Sequence, residues 1–172
     1  MSTQQWRNRA FDLRAAAAAV DFAQTGPTAD AIVSTYEFGH GFSMAAATKR
    51  VAWMLYGMAL EAMMKAAMVA RRQNPPAIHD LIKLADGNSL VLTEKQRGML
   101  EVLSHAIIWF GRYPVPKASK RADVDKLGAT LSEVAWSPLT ESSLIKKWNG
   151  AMDWNSLEEL WALASDFKDG DA

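Results

Sequence analysis

The sequence predicts an all-α protein, an antiparallel bundle of long helices joined by short connections. Three observations carry this. Apolar residues recur at helical spacing over long windows, no segment alternates with period two over a strand length, and the breaks fall at compact Gly- and Pro-containing stretches. With 172 residues the chain fits one domain with a sizeable core.

The elements follow in order. Residues 5–24 are rich in Ala, Arg and Leu, strong helix formers, and "TGPTAD" breaks the run. A short helix is expected after Asp30, and "EFGHGF" is a second break. The longest helix starts at a Ser43 cap and runs to about Gln73, with Trp53, Leu60, Met64 and Met68 near helical spacing. "NPP" ends it, because the residue before a proline avoids the α region. A short helix is expected over His79–Ala85. After the "DGNS" turn, a helix capped by Thr93 runs to the end of "AIIWF". "RYPVPKASKR" reads as a loop, and further helices are placed at 123–134, 139–148 and 155–167. The last carries Leu157, Leu160, Trp161 and Ala164 as one apolar stripe. The domain divides into an N-terminal helical extension over 1–42, a core over 43–116 and a C-terminal helical region over 117–172.

Composition narrows the function classes. Nineteen cationic and nineteen acidic residues cancel, so no global field draws the chain to nucleic acid or an anionic membrane. With no cysteine there is no disulfide, thiolate metal site or cysteine nucleophile. The N-terminus is polar, with Arg7, Arg9 and Arg14 ahead of any apolar run, unlike a signal peptide. The most apolar window, Val51–Ala70, contains Glu61 and Lys65. Charges there cost on the order of several kcal/mol in a bilayer, so a core helix is expected. The expected location is cytoplasmic, with no membrane partner.

Three motifs occur in a definite order: Glu61-x3-Lys65 in "LYGMALEAMMKAA", then "HDLIKLA" from His79, then "WFGRYP" from Trp109. Each has a local structural reason. Glu before Lys four residues on supports a helix by roughly 0.2–0.5 kcal/mol. Asp80 suits a helix start, Gly111 and Pro114 stop a helix, and Arg112 beyond a helix C-terminus is favoured by the dipole. The six methionines from Met44 to Met68 are expected to fill an irregular core, the alternative being an adaptable binding face.

The ordered triple resembles the HEPN domain family (higher eukaryotes and prokaryotes nucleotide-binding) over roughly Arg50–Pro116. The resemblance implies an antiparallel helical bundle, often a homodimer, found in toxin–antitoxin and defence systems and beside nucleotidyltransferases. Some members are metal-independent ribonucleases and others bind nucleotides. The nuclease members pair an arginine with a histidine four to six residues later. An arginine can hold the scissile phosphate while a histidine moves protons.

Arg112 best matches that arginine, yet no histidine follows it anywhere in the chain. Arg72 and His79 satisfy the spacing formally, but "NPP" lies between them. Arg97 and His105 have seven residues between them, one too many, though they share a helix face with Glu101 and Trp109. The alternative for that stripe is an Arg97–Glu101 surface ion pair.

The expectation is a HEPN-like non-catalytic binding or interaction module. Its ligand surface is His105, Trp109, Arg112 and Tyr113: rings to stack a base, Arg112 to grip a phosphate. A nucleotide or RNA is the expected ligand, and an antitoxin or nucleotidyltransferase the expected protein partner. No cofactor and no metal are expected. The alternatives are a ribonuclease with a displaced histidine, His105 acting with Arg112 or Arg97, and a structural subunit. In the latter, the C-terminal tryptophans (Trp136, Trp148, Trp154, Trp161) bind another protein.

Overall fold

A computed structural model describes residues 1–109, 121–140 and 143–167. These form an all-α fold with seven helices and one small hairpin among them. Helix α1 (Thr3–Phe22) opens with a reciprocal cap. Ser2 Oγ accepts from Gln5 N, and Gln5 Oε1 accepts from Ser2 N at 2.8 Å. Helix α2 (Gly26–Thr35) begins at the glycine and proline that looked like a break. Pro27 sits in the first turn, where a missing N–H costs nothing.

Helix α3 (Met44–Ala70) is capped by Ser43 as expected and forms the axis of the fold; α1, α4, α5 and α7 all pack on it. Trp6 of α1 lies by Lys65, and Arg14 reaches the Tyr56–Glu158 site, so α1 runs antiparallel to α3. Helix α4 (Leu81–Gly87) is capped by Asp80, and α5 (Glu94–Trp109) by Thr93, whose Oγ1 accepts from Gln96 N at 3.2 Å. Antiparallel to α5 runs α6 (Arg121–Ala135). The core is one cluster, with Tyr56, Leu60, Met63, Met64, Leu81 and Leu103 among its largest side chains.

The helix expected over 139–148 is absent. Instead β1 (Trp136–Pro138) pairs antiparallel with β2 (Lys146–Trp148), Trp136 opposite Trp148. The reason is aromatic packing. Trp148 stacks on Trp53 with centroids 6.2 Å apart and planes 7° apart, and Trp136 meets Trp148 edge-on. The Lys49 ammonium lies 3.9 Å from the centre of the Trp148 ring. Pro138, which cannot donate a ladder bond, ends the strand.

Helix α7 (Trp154–Ser165) closes the bundle. Trp53 Nε1 donates to the Met152 carbonyl at 3.1 Å. Tyr56 Oη lies 2.9 Å from the Leu157 carbonyl and 2.8 Å from Glu158 Oε1. Arg14 grips both oxygens of Glu158 and lies over the Trp161 ring. Trp154 meets Tyr56 edge-on and Trp161 is buried against Phe11. Thus Trp148, Trp154 and Trp161 face the chain's own core, and Trp136 is the exposed member of that group. No helix among the described residues is long and apolar enough to cross a membrane.

Candidate functional site

Glu61 and Lys65 are the two buried charged residues of α3, at 9% and 6% exposure. Lys65 Nζ donates to Glu61 Oε1 at 2.7 Å and to the Ile78 carbonyl at 3.1 Å. The second Glu61 oxygen lies 2.9 Å from His79 Nδ1. Two motifs that are separate in sequence are therefore one network. The helix pair reaches across and fixes the loop that carries His-Asp-Leu.

A buried ion pair is weak evidence for stability, because desolvation offsets its attraction. Its visible effect here is orientation. With Nδ1 on the carboxylate, the imidazole keeps Nε2 as its outer nitrogen, and the His79 side chain is half exposed. Asp80 caps α4, and Leu81 N donates to Ser104 Oγ at 2.9 Å, which locks the loop to α5.

His79 forms part of the wall of two cavities. One, about 270 Å³, is lined by Trp6, Arg9, Leu13, Met58 and Glu61 as well. The other, about 500 Å³, adds Lys83, Glu101, Ser104, His105 and Lys126. The structure thus brings His105 of α5 to the same cavity as His79. Two imidazoles and two ammonium groups border it, alongside the carboxylates Asp80, Asp86 and Glu101. Lys83 pairs with Asp80 at 3.3 Å, so the donors of this cavity that could meet a phosphate are chiefly the imidazoles, with the ammonium groups shared with carboxylates.

Arg97 goes elsewhere. Its guanidinium donates to Asp86 at 2.6 Å, and that hydrogen bond raises its pKa. It lines a different cavity, with Lys95, Glu133 and Asn149. Glu101 pairs with Lys126 of α6 at 2.7 Å. The expected Arg97–Glu101 stripe is therefore divided between two neighbouring helices, because each side chain finds a partner off its own helix. The Trp109 side chain, Arg112 and Tyr113 lie outside the described residues.

Trp6, Arg9, Lys83 and Lys126 are lining residues that the sequence reading did not single out. Trp6 and Arg9 are three apart on one helix, so a shared face was a usable signal. Nothing local linked Lys83 to Lys126. Among the described residues no three His, Asp or Glu side chains gather as a metal site.

No family model matches the chain, and no curated protein or solved structure matches it. The HEPN likeness stands on the three short motifs and their order.

Proposed function

We propose that the protein is a HEPN-like homodimeric module that holds a phosphate-bearing ligand, a nucleotide or short RNA, without cutting it. In this reading it serves a toxin–antitoxin or defence system, beside an antitoxin or a nucleotidyltransferase. The observation that carries the ligand is the cavity shared by His79 and His105. One imidazole is oriented by a buried carboxylate, and Lys83 and Lys126 add positive charge at the rim. Each of these lysines is held by a carboxylate of the same rim, Lys83 by Asp80 at 3.3 Å and Lys126 by Glu101 at 2.7 Å, so a phosphate would compete with those pairs and depend most on the two imidazoles. The sequence supports retention without cleavage, since no histidine follows Arg112.

Fluorescence anisotropy with labelled single-stranded RNA and with nucleotides tests the reading. His105→Ala is expected to weaken binding by about tenfold, the loss of one charge-assisted contact. Unchanged affinity would sink it.

A second reading has one observation in its favour: two imidazoles border one cavity. His79 Nε2 would take the proton of a ribose 2′-hydroxyl as its oxygen attacks phosphorus. Protonated His105 would give a proton to the departing 5′-oxygen, leaving a 2′,3′-cyclic phosphate. Incubation with RNA in chelator separates the two readings. Cyclic-phosphate products that vanish in both His79→Gln and His105→Gln favour the enzyme; intact RNA favours the binder.

A further inference from the structure

The segment from Phe22 to Phe42 packs little against the bundle. Helix α2 buries only Ala29. The loop after it presents Tyr36, Phe38 and Phe42, which are 69%, 48% and 40% exposed. These rings are stacked on one another, Phe38 on Phe42 at 4.7 Å and Tyr36 beside Phe38 at 6.1 Å. The backbone holds them there. Glu37, Gly39 and Gly41 have φ of 52°, 88° and 81°, a run of left-handed turns that fixes the stack before any partner arrives. An ordered aromatic surface of this kind marks an interaction site.

Charge says what covers it. From Ala15 to Thr48 the sequence holds Asp21, Asp30 and Glu37 and no lysine or arginine. From Gly111 to Arg121 it holds Arg112, Lys117, Lys120 and Arg121, two prolines and no acid. A chain of zero net charge thus carries an acidic aromatic arm and a basic, proline-containing stretch. Aromatic surfaces can dock proline-containing segments, and opposite charge on the two sides favours the pairing. In a two-fold dimer each contact occurs twice, arm to stretch and stretch to arm.

We infer that α2 and its aromatic loop are the docking surface for a second copy of this chain, which presents its 111–121 segment. This deepens, and rests on, the homodimer in the reading above.

The test is sedimentation over a dilution series, at low and high salt. The wild type is expected to dimerise, with weaker association at high salt. Phe38→Ser with Phe42→Ser, both in an exposed loop, is expected to weaken the dimer at least tenfold. Two charge-reversed chains complete the design: Asp30→Lys with Glu37→Lys, and Lys117→Glu with Lys120→Glu. Each alone is expected to be monomeric, and their mixture to recover a heterodimer. Glu159→Lys, exposed on α7, is the control and should leave the dimer intact. A monomeric wild type overturns both the dimer and this surface. A dimer indifferent to arm reversal, or a mixture that stays monomeric, overturns the surface alone.

Discussion

Lys65 shows how much one ammonium can organise. It bonds Glu61 on its own helix and the Ile78 carbonyl in the next loop, and Glu61 in turn holds His79. Lys65→Met alone leaves a buried carboxylate uncompensated and should cost about 3–5 kcal/mol in chemical denaturation. Adding Glu61→Leu should recover much of that loss while leaving His79 without its orienting partner. Equal losses in the single and double variants would show that the pair itself stabilises the fold. The spacing of Glu61 and Lys65 was legible, because four residues make one helical turn. The link to His79 was not, since nothing in a linear pattern says which loop folds back onto a buried carboxylate. For the same reason Arg97 was grouped with His105 by helical period, while its partner, Asp86, sits on another helix.

At the scale of elements, α3 and α5 cross closely at Gly57. A Cβ there would meet the Leu103 carbonyl at 3.1 Å and Ile107 Cγ1 at 3.0 Å. Backbone cannot yield as a side-chain tip can, so Gly57→Ala should destabilise by about 1–3 kcal/mol despite alanine's better helix propensity. Thermal unfolding measures it, and a neutral or stabilised variant would contradict the close crossing. Helix boundaries with strong caps, Ser43 for α3 and Thr93 for α5, were legible to within a residue or so at their starts. The stretch 139–148 was misread because a three-residue strand is too short to show alternation. Its conformation is set by Trp136 and Trp148 meeting across a hairpin and against Trp53, contacts that span the sequence. Gly26 and Pro27 misled in the opposite sense, since proline in a first turn starts a helix as readily as proline elsewhere ends one.

Over the whole molecule, the two ends of the chain are tied at one point. Arg14, Tyr56 and Glu158 come from α1, α3 and α7. Burial pushes the Glu158 carboxyl up, but hydrogen bonds from Arg14 and Tyr56 outweigh it and hold the group below the usual range. A lowered carboxylate stabilises the fold above its unfolded pKa of about 4.3, and that share is lost as pH falls through the lower folded value. Glu158→Gln should therefore cost about 1–3 kcal/mol at neutral pH and flatten the acid limb of the stability profile. Asp21 works against this. Burial and the nearby Asp153 raise its pKa, so its effect on stability grows more unfavourable as pH rises through its range. A chain ending at Trp148 loses the Met152 and Leu157 carbonyls that satisfy Trp53 and Tyr56. It should lose cooperative unfolding, followed by circular dichroism, and bind a hydrophobic dye. A sharp transition in that truncated chain would mean that α7 is an accessory, not part of the core.

The near-parallel indoles of Trp53 and Trp148, with the Lys49 charge against one of them, couple the hairpin to an optical signature. Their near-ultraviolet dichroism should respond when β2 lifts from α3, even if every helix persists. The protein thus carries its own spectroscopic reporter of that docking event, readable without a label, and Lys49→Ala would shift its baseline.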